Sequence, residues 1–294
     1  GAVLGIGAFG AGAVAVQRQV GIDDPGLFGW LAVLGAAIFT AGLLYIAVRQ
    51  LRIRLFLPPE RYRGPGVLVL LFLVLVLASL FTAPFTADAT ALILGEGELS
   101  LVGATVVLVA TAVALLLVSW FLVFRPGALE ALPSLPGRDP FGALRSGLGW
   151  GLLAWLGATL VSAAIAWLLG RIGIQPEPLT AERAISLLDP ILVVLAVVIL
   201  APIAEEVFFR GVVFNAWLRE GGRRWAFIGS SVLFGLIHLS LVALVPIFLL
   251  GLALAWVYER AGNLLAPIAM HATVNGISVA VALLVRFDVV RPPI

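Results

Sequence analysis

The stretch PILVVLAVVILAPIAEEVFF, running from Pro190 to Phe209, decides what kind of chain this is. An apolar run of this length crosses the ~30 Å hydrocarbon core of a bilayer as one helix. Its charges, Glu205 and Glu206, stand side by side near its end. An ionisable side chain at membrane depth costs about 2.5–3.5 kcal/mol on insertion scales, so such residues by default mark functional sites.

Runs of similar apolar character recur on both sides of this one. They cover Leu27–Val48, Gly66–Phe85, Leu101–Phe124, Leu148–Leu169, Ala226–Leu239, Leu244–Tyr258 and Leu264–Val285. Gly1–Val16 is a weaker further candidate; no charged region precedes it and the chain does not begin with Met, so its start reads as processed or truncated. The chain is 62% hydrophobic and 12% charged with mean hydropathy +1.15, outside the range of soluble domains. The expected fold is therefore all-α, a polytopic integral membrane bundle of about eight transmembrane helices.

The basic residues are all Arg, which is read as compositional bias and not as function. A pI of 9.7 does not imply nucleic acid, because the arginines follow topology. Arg49, Arg52, Arg54, Arg61 and Arg63 crowd one connection, Arg125, Arg138 and Arg145 a second, and Arg219, Arg223 and Arg224 a third. The intervening connections, around Asp88–Glu98 and Arg171–Asp189, are acidic or mixed. By the positive-inside rule the Arg-rich connections face the cytoplasm of a multi-pass cell-membrane protein. The absence of Cys excludes disulfides, zinc-thiolate sites and a cysteine nucleophile.

Pro126, Pro133, Pro136 and Pro140 mark the longest polar interruption. It divides the chain into N-terminal scaffold helices (1–125), a Pro-rich cytoplasmic loop (126–147) with a short interfacial helix at Phe141–Leu148, and a second transmembrane core (148–294) that holds the candidate chemical groups. Gly147 and Gly151 fit a small-residue packing pattern, but among 32 glycines the match carries little weight.

Every candidate chemical group lies after that boundary. The two histidines of the chain, His238 and His271, both sit in apolar runs. Arg219-Glu220-Gly221-Gly222-Arg223-Arg224 reads as a tight helix–helix turn. Glu205 lies fourteen residues before Arg219 and His238 fourteen after Arg224, each about 21 Å from the turn. His271 lies eleven residues beyond Arg260, roughly 16 Å deep. The three groups can thus meet at one depth. Helical spacing puts Glu206 with Arg210, Phe234 with His238, and His271 with Asn275 on shared faces. Glu205 points elsewhere than Glu206, so Glu206–Arg210 is expected to be a structural bridge and Glu205 to face His238. On spacing alone, an Asn such as Asn275 is more often interhelical glue than an oxyanion donor.

Glu-Glu-x-x-x-Arg (Glu205, Glu206, Arg210), Phe-x-x-x-His (Phe234, His238) and His-x-x-x-Asn (His271, Asn275), in that order, resemble the CAAX protease and bacteriocin-processing family. These are intramembrane glutamate proteases, also called the Abi family, that include the type II CAAX prenyl endopeptidases. The resemblance covers roughly Leu148–Val285 with no substitution at a motif position. It implies an endopeptidase in which Glu205 activates a water, His238 holds that water, and His271 and Asn275 stabilise the oxyanion. It also implies a cavity open to the cytoplasm, a peptide or membrane-proximal protein substrate, and no cofactor or metal. The lipid bilayer is then the other partner, and nucleic acid is not one. Prenylation of the substrate and the oligomeric state are not specified.

Three rivals remain at this level. Two histidines and a glutamate could bind zinc, although His-Glu-x-x-His is absent. Intramembrane Glu and His could relay protons in a transporter, although they form one cluster and no chain across the bilayer. A non-catalytic membrane scaffold or immunity protein could retain the same motifs.

Overall fold

The computed structural model describes residues 26–85, 100–129, 139–173, 189–238, 240 and 243–289. Among the described residues every regular element is helical. Helices α1 (Gly26–Arg54), α2 (Val67–Thr82) and α3 (Leu101–Ser119, continuing as a π-turn through Trp120–Phe124) come first, followed by α4 (Pro140–Arg171). A composite helix then runs through Pro190–Val193, a π-helical Val194–Leu200, Ala201–Glu206, a π-helical Val207–Phe214 and Asn215–Leu236. Gly222, at φ 80° and ψ −179°, breaks it into two legs, here α5 (190–221) and α6 (223–236). Only glycine adopts that backbone without strain. Helices α7 (Leu244–Ala261) and α8 (Leu265–Arg286) complete the bundle. Among the described residues, seven helices are long and apolar enough to cross a membrane, with α5 and α6 counted as one. The eight expected spans each fall on one of the eight legs. Gly1–Val16 and the Asp88–Glu98 connection lie outside the described residues.

Contacts across Gly222 fix the hairpin register. Phe214 stacks edge-on against Phe227 and Phe209 against Phe234, and Gly229 lies against the Trp217 ring. Continued one turn further, this register puts Glu205 and His238 at the same level. The Arg-rich connections also meet. Arg54 pairs with Glu220, Arg219 donates to the Pro59 carbonyl (3.0 Å), and the Arg63 N–H donates to the Ala128 carbonyl (3.2 Å). A two-pronged Arg223–Glu259 pair ties the turn to the end of α7. The arginine clusters therefore share one face of the bundle. In that layer Tyr62 is buried, and burial pushes its hydroxyl well above the usual tyrosine range.

One boundary differs from expectation. The interfacial helix and the Leu148–Leu169 span are a single helix, α4, whose 32 residues measure about 48 Å. Asp139 caps it by accepting the Gly142 N–H (2.8 Å), and Pro140 occupies the first turn, where its missing N–H costs nothing.

Gly147 and Gly151 are the seam on which α4 meets α8. A Cβ at Gly147 would come within 2.5 Å of the Ala266 carbonyl oxygen, and one at Gly151 within 2.6 Å of Thr273 Cβ. Small residues let two membrane helices approach closely enough to pack backbone on backbone. Gly151→Val is accordingly expected to cost about 1–3 kcal/mol of stability by overpacking. Gly149→Val, where nothing lies within 4 Å, is the control. Equal thermal unfolding temperatures for the two variants in detergent would show that the seam does not hold the bundle.

Candidate active site

The motif residues converge where α5, α6 and α8 meet, beneath the Arg-rich face. Pro202 and two π-turns shape the α5 wall. The Ala201 N–H donates five residues back to Ala196, and Pro202 has no N–H to give. Neither residue can serve the Val197 carbonyl, and Asn275 Nδ2 on α8 donates to it instead (2.9 Å). Asn215 does similar service for the second π-turn, donating to the carbonyls of Arg210 (2.7 Å) and Gly211 (3.1 Å). A buried carbonyl without a partner is costly, so each asparagine stabilises a helix irregularity.

Glu206 and Arg210 are fully buried, one helical turn apart, with Glu206 Oε1 2.9 Å from Arg210 Nη1. Arg210 Nη2 donates to the Gly251 carbonyl of α7 (2.9 Å), and the guanidinium lies 4.7 Å from the Phe234 ring centroid. The expected bridge is present, but it is not the whole role of Glu206. The same Oε1 lies 2.9 Å from His271 Nδ1. A carboxylate accepts, so Nδ1 carries a proton and donates it to Glu206. Arg210 thus anchors Glu206, and Glu206 orients the His271 ring, as carboxylates do for functional histidines elsewhere.

The turned ring presents Nε2 to Glu205, 4.0 Å from Glu205 Oε2. That oxygen is buried and has no hydrogen-bond partner. The histidine in ion-pair range of Glu205 is therefore His271. His238 is half-buried, two residues past the end of α6, and its Nδ1 lies 2.7 Å from the Phe234 carbonyl of that helix. A carbonyl can only accept, so Nδ1 is the protonated nitrogen and a neutral His238 offers the Nε2 lone pair. The Phe234 ring touches both histidines edge-on, at 5.0 Å from His238 and 5.7 Å from His271. Glu205, Glu206, Arg210 and His271 thus form one directly connected cluster. His238 joins it through Phe234, and Asn275 stands one turn along α8 with its amide on Val197. Sequence reasoning missed the Glu206–His271 contact and the Gly251 and Val197 carbonyls. Pro202 in mid-span was the available signal for an orphaned carbonyl.

Among the described residues no three His, Cys, Asp or Glu side chains gather as a metal-binding group.

A family model for type II CAAX prenyl endopeptidase Rce1-like proteins matches residues 187–277, the segment that contains all of these groups. This segment is an Rce1-like domain. The chain is also similar to three curated proteins, one of them named as a membrane peptidase. It is 27% identical over 115 residues to the Bacillus subtilis (strain 168) protein named "Putative membrane peptidase YdiL", covering 39% of this chain and 47% of the relative. It is 33% identical over 78 residues to UPF0177 protein YxdF of Lactococcus lactis, covering 26% and 42%. It is 35% identical over 128 residues to an uncharacterized 24.3 kDa protein of Escherichia coli, covering 40% and 58%. The chain thus spans about half the length of the curated relatives it matches. No solved structure matches it. The family match is confined to this segment, one relative is named "Putative membrane peptidase", and the span-length helices imply a bilayer around the chain.

Proposed function

We propose that the protein is an intramembrane endopeptidase that hydrolyses a peptide bond with a water activated by Glu205. One observation carries the reading. Within the Rce1-like domain, a buried carboxylate oxygen without a partner faces the free nitrogen of an oriented histidine. Glu205 takes a proton from water as the water oxygen bonds to the peptide carbonyl carbon. The carbon–nitrogen bond then breaks, and Glu205 returns the proton to the leaving amine. His238 accepts a hydrogen bond from the attacking water through Nε2. His271, its ring oriented by Glu206, turns Nε2 toward the oxyanion as a donor. One N–H of Asn275 holds the Val197 carbonyl, and an amide nitrogen has a second N–H to add to the same oxyanion. Glu206, Arg210 and Phe234 position these groups. The Arg-rich face lies toward the cytoplasm, and the substrate is a membrane-proximal peptide entering from that side.

Asn275→Ala tests the donor assignment. Removing one oxyanion donor lowers kcat by about 10²–10³-fold with little change in KM, because the contact forms in the transition state. A protein that unfolds early but keeps its turnover per folded molecule would leave Asn275 with its Val197 contact alone. Dialysis against a strong chelator is expected to leave cleavage unchanged. Loss of cleavage restored by zinc would make the histidines metal ligands and overturn the glutamate–water reading.

A further inference from the structure

Helix α4 begins before α8 does. Gly147 lies against Ala266 at the start of α8, so Pro140 stands seven residues, about 10 Å, beyond that level. Under the overhang, between the first turns of α4 and the turn joining α7 to α8, lies a cavity of about 530 Å³. Asp139, Trp150, Trp256, Arg260 and Asn263 are among its walls. A cleft of about 380 Å³ on the outer side of α4 shares Trp150 and adds Arg145 and Leu153. None of these residues belongs to the Glu205–His271 cluster.

The walls combine three features that one ligand satisfies together. Trp150 and Trp256 meet edge-on at 4.8 Å, little more than a turn from the α7–α8 connection, and tryptophans near helix ends mark the headgroup zone of a bilayer. Arg260 stacks over Trp256 (5.5 Å) and Arg145 is exposed; neither has an acidic partner among the described residues. Asp139 spends one carboxylate oxygen on the Gly142 N–H and presents a negative charge to the cavity. Phe141, 82% exposed, and the exposed Leu148 and Leu153 line the path outward along α4.

We propose that this cavity binds the phosphoethanolamine headgroup of a membrane phospholipid. The phosphate sits between Arg260 in the cavity and Arg145 in the adjoining cleft, the ammonium pairs with Asp139, and the acyl chains lie along the apolar outer side of α4. A free phosphate would leave Asp139 and the apolar path unused. A purely anionic headgroup would meet the Asp139 charge with nothing to pair with it.

Native mass spectrometry of the full chain in detergent tests this with dioleoylphosphatidylethanolamine, dioleoylphosphatidylglycerol and inorganic phosphate as separate probes. The wild type is expected to prefer the ethanolamine lipid, and inorganic phosphate is not expected to displace it. Arg260→Gln and Arg145→Gln are each expected to weaken that binding about tenfold. Asp139→Asn keeps a good N-cap while removing the charge, and should invert the preference toward phosphatidylglycerol. Thermal unfolding confirms that each variant is folded, and exposed Arg145 supplies a variant that tolerates replacement. Equal lipid binding by wild type and all three variants would place the lipid elsewhere and overturn the proposal. Equal wild-type affinity for the two lipids, or full displacement by inorganic phosphate, would also overturn it.

Discussion

Glu205→Gln is expected to abolish peptide hydrolysis while leaving the bundle folded. Glutamine has nearly the shape of glutamate but cannot take a proton from water or return one to the leaving amine. General acid–base groups contribute typically about 10²–10⁴-fold, and here one group serves both proton transfers. The fold should survive because Glu205 Oε2 makes no hydrogen bond that the substitution would break. Its ion-pair contact among the described residues, to His271 Nε2, is long at 4.0 Å. The experiment compares cleavage of a membrane-proximal reporter peptide by wild type and variant at equal folded concentration. Turnover within threefold or so of wild type would remove Glu205 as the base, since a lost general base cannot cost so little.

How much of this was legible from the chain depends on the range of each interaction. The eight helical legs were, because hydropathy over a span-length window reports burial in lipid directly. The common depth of Glu205 and His238 followed from a rise per residue and a Gly-Gly turn, and the Phe209–Phe234 and Phe214–Phe227 contacts carry that register. Glu206–Arg210 was legible because positions four apart share a helix face. Glu206–His271 was not, because it joins helices 65 residues apart and depends on how α8 is rotated against α5. Helical spacing says nothing of rotation between helices. One contact that seats α8 in the bundle is the Gly147–Gly151 seam on α4, and its close approach to α8 could not be told from the background of a glycine-rich chain. The start of α4 was within reach, since Asp139 followed by Pro140 is a helix-start signal. It was outweighed by the surrounding prolines. Pro202 was also in view, but its consequence was not, because a missing N–H matters only once the carbonyl it abandons is seen to have found Asn275.

The second large effect is expected at Arg210. Arg210→Met removes the positive charge and leaves the Glu206 carboxylate buried with only His271 as a donor. Breaking a buried ion pair from one side typically costs about 3–5 kcal/mol, because the remaining charge is uncompensated. The Gly251 carbonyl loses its donor as well, which loosens the contact of α5 with α7. Arg210→Met should therefore unfold well before wild type in a detergent melt. Arg210→Met combined with Glu206→Gln should recover part of the loss, since neither charge is then left alone. Turnover separates the structural effect from the chemical one. The double variant regains stability but not the negative carboxylate that orients His271, so its kcat should stay low while its melting temperature rises. If the single variant melts with wild type, the pair does not hold these helices together. If the double variant regains activity along with stability, Glu206 serves only to neutralise Arg210, and the orientation of His271 must come from elsewhere.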